Sequence, residues 1–400
     1  MNVYKRRMFI KNVSKLVGLG VLTPSVLMAI ISNESKEQRI SQSLKNHYSS
    51  RCISLIDKAI VIDMLSTFGD NFNKSNDKTL AVLWETVPAS FRAKDYEFIK
   101  SCGVNVFGWG NLLTSDTDML KFLASQNGII ASNPDYFERI DTKEKLLKMS
   151  QNNKIGMLMT NQDSKHFNTL DDVELFYRLG QRVSQITYND KNRLGCGAFE
   201  DVDSGLTDYG KQVIKRMNKV GMGVDVSHCG DKTTIESINE STKPVLITHG
   251  ACRSLAKNVA RAKTDEAIKL MASTGGVIGI PILRFMISEK EPVSIDDFTN
   301  HIDYVAQLVG INHVGIGSDQ GLYTEDYLPT AVRKERLEKA PKKYQTHTNS
   351  DYLLTIDKLN HPHRVYDIAE SLINKGYKDD DIKKVLGGNF QRALIDIFKH

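Results

Sequence analysis

Eight times between residues 59 and 319 a short apolar run gives way to sequence of helical character, and this alternation restricts the fold more than any other feature of the chain. The runs are residues 59–65, 104–110, 155–160, 182–188, 224–228, 245–249, 275–281 and 313–319. Strands joined through crossover helices must run parallel. Eight such units close a barrel whose interior is filled by its own side chains. The expected class is α/β, a (β/α)8 TIM barrel. An open doubly wound sheet is the other option, but no Gly-rich phosphate turn follows the first run. At 400 residues the chain is long enough for one such domain over residues 32–400, with a charged, lid-like insertion at about 323–351.

In a barrel of this kind chemistry sits at the carboxyl ends of the strands. Here those ends read Asp63 to Thr67, Gln162, Tyr188, His228, His249 and Asp319. Two of the runs, Val224-Asp-Val-Ser-His228 and Val245-Leu-Ile-Thr-His249, stop on a histidine and pass at once into small or polar residues. If those strands are neighbours, both imidazoles reach one rim and can share a metal ion. Both can equally serve as hydrogen-bonded groups capping adjacent strands. Asp319 adds a carboxylate, as a ligand, as a proton shuttle beside a metal, or as an N-cap in the loop that follows. Arg261 follows the second histidine and can clamp a substrate carboxylate in a bidentate grip, or be an ordinary surface residue.

Charge argues against nucleic acid as a partner. Lys5, Arg6, Arg7, Lys11 and Lys15 account for the whole formal charge of +5, and the remainder of the chain is neutral. The same five residues lie in a stretch, 1–31, that reads as a twin-arginine export signal or a retained anchor: Lys5-Arg-Arg-Met-Phe-Ile-Lys11 precedes a weakly apolar segment from Val13 to Ile31. The expected location is therefore exported, periplasmic or cell-envelope. The five cysteines show no zinc-finger spacing. Cys229, beside His228, is either a ligand or nucleophile, or a small residue pointing away from the histidine.

Taken together, Val224-Asp-Val-Ser-His228-Cys, Ile247-Thr-His249 with Arg261 downstream, Val314-Gly-Ile-Gly-Ser-Asp319 and Leu386-Gly-Gly-Asn-Phe-Gln-Arg392 resemble the membrane (renal) dipeptidase family of zinc peptidases, in order and spacing from about residue 55 to 398. The resemblance implies a barrel of the metal-dependent hydrolase type with a two-metal centre that hydrolyses dipeptides and related small amides. It places the family's metal-binding histidines on His228 and His249, its carboxylate-binding arginine on Arg261 and its acid-base aspartate on Asp319.

Three positions depart from that pattern. The family's His-x-Asp after the first strand is replaced within Asp63-Met-Leu65-Ser-Thr67, its metal-bridging glutamate falls on Gln162 with Asp163 next to it, and a substrate-contacting histidine falls on Tyr188. The expectation is one zinc ion rather than two. Asp63, Asp163, Gln162 or the pair His361-Pro-His363 are the candidates to complete its shell, the last pair reading alternatively as a helix-entry turn. The expected partner is a small peptide or amide; attachment to a membrane through residues 1–31 and a homodimer are further expectations. Two other functions fit the same residues: a catalytically degenerate barrel that binds a small peptide or partner, and a one-metal amide or lactam hydrolase.

Overall fold

The computed structural model describes residues 44, 46–66, 84, 86–322 and 354–399. The expected export segment and the charged insertion at 323–351 lie outside the described residues. The chain divides into a short unit, Met1–Ile53, and a large one, Ser54–His400. Residues 33–58, polar and charged with scattered Ile and Leu, read as a helix leading into the domain, and a helix is present over Ser50–Lys58.

Nine parallel strands form the sheet of the large unit: β1 (Ile62–Asp63), β2 (Val106–Asn111), β3 (Phe137–Arg139), β4 (Ile155–Asn161), β5 (Gln181–Gln185), β6 (Gly223–Asp225), β7 (Val245–Ile247), β8 (Val277–Ile280) and β9 (Val314–Ile316). Six consecutive pairs from Val106↔Gly156 to Asn111↔Asn161 join β2 to β4 and close the ring. The closed barrel has eight strands, and β3 is a ninth, laid against the start of β4 through Phe137↔Ile155. Sequence reading missed β3 because Phe137-Glu-Arg139 is too short and too charged to show strand alternation. The fifth, sixth and eighth expected strands are β6, β7 and β9.

The barrel strands are buried on both faces, as the continuous burial of β4 shows. Ile62, Val106, Leu158, Val183, Leu246 and Val277 make one cluster with Phe390, Leu394 and Ile397. Those last three come from the helix Asn389–Ile397. Burial of each large apolar side chain contributes roughly 1.5–3 kcal/mol. Gly387 abuts the backbone of Ile60 and Ile62, so the C-terminal segment covers the amino end of the barrel. The segment 364–398 reads as two closing helices, and the structure divides it further into α-helices Arg364–Asn374, Asp379–Lys383 and Asn389–Ile397, with a π-helical turn Lys384–Gly388 between the last two.

Helix boundaries follow local chemistry. Thr207 caps Asp208–Val220 by accepting from the Gly210 amide at 3.0 Å, as its position before the helix predicts. Thr264 and Ser294 do the same for Asp265–Ser273 and Ile295–Val309. The sequence over 80–102 reads as helical; among the described residues Trp84 and Thr86 are helical, a 3-10 turn follows at Pro88–Ser90, and a separate helix runs over Ala93–Ser101. Proline at 88 removes a backbone donor where a continuous helix would need it.

Glycine lets the end of β9 approach the turn that follows β7, two strands away in the sheet. A Cβ on Gly317 would lie 1.8 Å from the Thr248 carbonyl oxygen and 3.3 Å from His249 Cα. Gly317→Ala should therefore cost about 3 kcal/mol of stability, the upper end for overpacking. A urea unfolding midpoint unchanged from wild type would show that the strand ends can separate without penalty.

Candidate active site

The carboxyl ends of β6 and β7 are neighbours, with Val224↔Val245 and Asp225↔Leu246 in register. Both strands end earlier than expected, at Asp225 and Ile247, and His228 and His249 lie in the turns beyond them. The cause is the Asp225 side chain. Its Oδ1 accepts from the Ser227 amide at 3.0 Å and the Thr248 amide at 3.1 Å, drawing both turns onto one carboxylate. The Ser227 hydroxyl donates to Oδ1 at 2.5 Å and the Thr248 hydroxyl to Oδ2 at 2.7 Å. Asp225 is fully enclosed, and burial raises its carboxyl above the ordinary range against the pull of these four bonds.

The two histidines meet as the sequence predicts. His228 Nε2 and His249 Nε2 are 2.9 Å apart, and the rings are buried. His228 Nδ1 faces Asn189 Oδ1 at 2.6 Å, and His249 Nδ1 faces Thr248 Oγ1 at 2.9 Å. Burial and the Arg261 guanidinium push both imidazoles well below their usual pKa, so both are neutral. Tyr188 stacks on His228 with ring centroids 4.1 Å apart.

Arg261 is buried against this pair. Its Nη1 lies 2.6 Å from His228 Nε2, and its Nη2 reaches the His249 carbonyl at 3.3 Å and Asp319 Oδ2 at 3.7 Å. Its Nε is enclosed and has no hydrogen-bond partner among the described residues. Asp319 follows β9 with φ 57°, a left-handed conformation that aspartate tolerates better than most residues. Its amide donates to the Leu65 carbonyl at 2.9 Å, which ties the ends of β9 and β1 together. Burial pushes the Asp319 carboxyl up to about 6; Arg261 opposes the rise and Asp63 adds to it. Asp319 therefore lies on the His228–His249 rim in a shifted state, and its side chain remains 20% exposed.

The other expected ligands are placed differently. Asp63 is buried, accepts from the Ser318 amide at 2.8 Å, and has Arg364 as its nearby counter-charge. Asp163 accepts from the Lys165 amide at 2.7 Å, the Tyr188 amide at 3.3 Å and Asn192 Nδ2 at 2.9 Å, so it fastens the loop that carries Tyr188 and Asn189. Gln162 directly follows β4, with its amide on the Asn111 carbonyl. His361 and His363 form the entry to the helix Arg364–Asn374, where His361 Nε2 lies 3.1 Å from Asp367 Oδ2. Cys229 is turned away from His228: its Sγ accepts from Thr187 Oγ1 at 3.2 Å, and burial pushes the thiol up to about 11.

Asp225, Asn189 and Lys263 were not singled out from sequence. Lys263 is buried with Nζ on the Cys229 carbonyl at 2.8 Å and Thr234 Oγ1 at 3.1 Å, and burial lowers it to about 8. Asp225 stands inside the strand run Val224-Asp-Val, where a charge should have attracted notice. Asn189 and Lys263 carry no local signal, because their partners are 39 and 34 residues away.

Among the described residues no three His, Cys, Asp or Glu side chains converge on a common point. The paired Nε2 atoms of His228 and His249, each with its Nδ1 engaged by an oxygen, do fit one ion. Asp63 and Asp163 are engaged by other partners, and Asp319 lies 3.7 Å from Arg261 Nη2.

A closed parallel barrel with neutral histidines and a shifted aspartate at its carboxyl rim defines a protein built like the metal-dependent hydrolases. The family described as membrane dipeptidase (peptidase family M19) matches residues 106–325, more than half of the chain, and the chain belongs to it. That family is metal-dependent. The dipeptidase tcpJ of Claviceps purpurea is 21% identical over 268 residues, 66% of this chain and 56% of that protein. A Klebsiella pneumoniae protein encoded in the pqqA 5' region is 30% identical over 177 residues, 42% of this chain and 65% of that one. The chain thus spans between about half and two thirds of the length of these curated relatives. Among solved structures, an amidohydrolase from Pseudomonas aeruginosa superposes with a TM-score of 0.72 at 25% identity, covering 87% of this chain and 99% of that one. A Rhodobacter sphaeroides metallopeptidase bound to a phosphinate mimic of L-Ala-D-Ala superposes at 0.66 and 14% identity, covering 85% and 100%, and supports the fold.

The Asp319 shift has a consequence for stability. A carboxyl raised to about 6 in the native state, against about 3.9 when unfolded, holds its proton more tightly when folded. The native state therefore loses stability as pH rises between those two values. Asp319→Asn keeps the left-handed backbone accessible and removes the titration. Urea midpoints at pH 4 and pH 7 should show the variant gaining on wild type at the higher pH; an equal difference at both would mean that the carboxyl titrates normally.

Proposed function

We propose that this chain hydrolyses a dipeptide or a closely related small amide bearing a free carboxylate, with one zinc ion held between His228 and His249. The convergence of two neutral Nε2 atoms at 2.9 Å carries this reading, supported by the family to which the chain belongs. A bound zinc ion would supply Lewis acidity to the scissile carbonyl and acidify water. Arg261 supplies the substrate contact: its Nε, without a partner among the described residues, and its position beside the pair suit a carboxylate, and engaging one would draw the guanidinium from His228. Asp319, with its carboxyl at about 6, is tuned to take a proton from water and return it to the leaving amine near neutral pH. Tyr188, whose ring stacks on that of His228, would lie against a substrate held at this pair.

The test is metal per chain and dipeptide cleavage, on full-length protein purified without chelator, beside the variant His228→Ala, His249→Ala. The expected result is about one equivalent of zinc and cleavage of some members of a dipeptide panel, both lost in the variant. Failure to take up zinc on reconstitution would sink the hydrolytic reading and leave a carboxylate-binding barrel. Two equivalents would overturn the one-ion assignment.

Export to the periplasm or cell envelope belongs to the same proposal, supported by Arg6-Arg7 and the weakly apolar stretch that follows. Among the described residues no helix is long and apolar enough to cross a membrane, and the proposed attachment is assigned to residues 1–31. Replacing both arginines by lysine should trap the protein in the cytoplasm on fractionation; unchanged export would refute a twin-arginine route.

A further inference from the structure

The hydroxyl between Asp225 and His249 has a direction, and that direction decides which nitrogen of His249 is bare. Thr248 Oγ1 lies 2.7 Å from Asp225 Oδ2 and 2.9 Å from His249 Nδ1. A hydroxyl has one proton to give, and Thr248 gives it to Asp225 Oδ2, the acceptor of that bond. The Thr248 proton therefore points at Asp225, and His249 Nδ1 must donate to the oxygen's remaining lone pair. A neutral imidazole carries a single N–H. Nε2 is the nitrogen left bare, and it is the atom that faces His228.

His228 reaches the same state by separate means. Asn189 Oδ1 accepts from its Nδ1 at 2.6 Å, and Arg261 Nη1, which can only donate, lies 2.6 Å from its Nε2. Two bare nitrogens thus confront each other at 2.9 Å, an arrangement that repels unless a cation lies against it.

We propose that Asp225 is a positioning residue that acts through the Thr248 hydroxyl to hold His249 in its Nδ1–H tautomer, so that the bare Nε2 pairs with that of His228 as a two-nitrogen cradle for a divalent cation. The same carboxylate sets the backbone of the two turns through the Ser227 and Thr248 amides, so one group fixes both where the rings stand and which face of His249 is open. The use of the cradle rests on the one-ion reading above; the tautomer does not.

Asp225→Asn inverts the relay without changing its shape. Two backbone amides donate to Oδ1, so the amide oxygen must take that place and the NH2 group falls at Oδ2. That NH2 donates to Thr248 Oγ1, the hydroxyl proton turns to His249 Nδ1, and His249 becomes protonated on Nε2. The experiment is long-range proton–nitrogen NMR of metal-free, full-length protein labelled with 15N at histidine, with zinc affinity measured by chelator competition. In wild type both Nε2 atoms should show the pyridine-like shift. In Asp225→Asn the His249 Nε2 should become pyrrole-like while His228, set by Asn189, stays unchanged, and zinc affinity should fall about 10- to 100-fold.

A His249 that keeps a bare Nε2 in this variant would overturn the proposal. So would a simultaneous change at both histidines, which is what a merely structural role predicts. Thr248→Val and Thr248→Ser provide the second test should Asp225→Asn not fold. Valine keeps the shape but breaks the relay and should weaken zinc binding about 10-fold, whereas serine restores the hydroxyl and should recover it. Unchanged affinity and tautomer in Thr248→Val would also overturn it. If wild type shows the expected tautomers yet takes up no zinc, the one-ion reading fails and the positioning role stands.

Discussion

The rim of this barrel depends on one buried carboxylate. Asp225 accepts four hydrogen bonds from the two turns that follow β6 and β7, and those turns carry His228 and His249. Hydrogen bonds to a charged group contribute roughly 1.5–3 kcal/mol each, and leaving a buried acceptor unmet costs a comparable amount. The arrangement is therefore all or none: a turn that gave up Asp225 would expose a buried charge as well as lose its own anchor. Strand pairing alone could not set the histidines so closely, since both strands have ended before the rings begin.

Buried cations lie near the buried carboxylates of the rim. Asp225 has Lys263 nearby, Asp63 has Arg364, and Asp319 has Arg261 at 3.7 Å. Each cation is at least 98% buried, and each comes from a segment far in sequence from its carboxylate. Buried charges are tolerated when paired and heavily penalised when one partner is removed. In the family pattern the first strand supplies private ligands for a metal, and here Leu65 and Thr67 stand in those places. Asp63 accordingly draws its counter-charge from a guanidinium. The rim keeps its electrostatic balance with fixed side-chain cations at the β1 side and a coordination pair at the β6–β7 side.

The architecture was legible because it is written in local periodicity: eight buried runs with helical sequence between them specify parallel strands, and parallel strands with eight repeats specify closure. His228, His249, Arg261 and Asp319 were legible because the barrel rule sends strand ends to one rim. What the sequence could not show was the set of partners. Asp163 sits one position from Gln162 and looks equally fit to bind a metal, yet its carboxylate holds the Tyr188–Asn192 loop. His361 and His363 look like a ligand pair, yet they face each other and Asp367 across a helix entry. Such distinctions turn on hydrogen bonds between residues far apart in the chain, and pattern alone does not encode them.

Arg261 is where these constraints meet. A guanidinium 2.6 Å from a bare imidazole nitrogen supplies the positive charge that two confronting lone pairs require. It also contacts the carboxylate best tuned for proton transfer, and it retains one enclosed N–H without a partner among the described residues. A substrate carboxylate offers that N–H an acceptor and the whole cation a stronger counter-charge than neutral His228. Binding the carboxylate would then shift the guanidinium toward the substrate and return Nε2 of His228 to the cradle. The same displacement loosens the hold on Asp319, whose raised carboxyl becomes freer to exchange a proton. On the function proposed above, substrate recognition and assembly of the reactive groups would be a single electrostatic event, and specificity for a free carboxylate would follow from the one cation that both depend on.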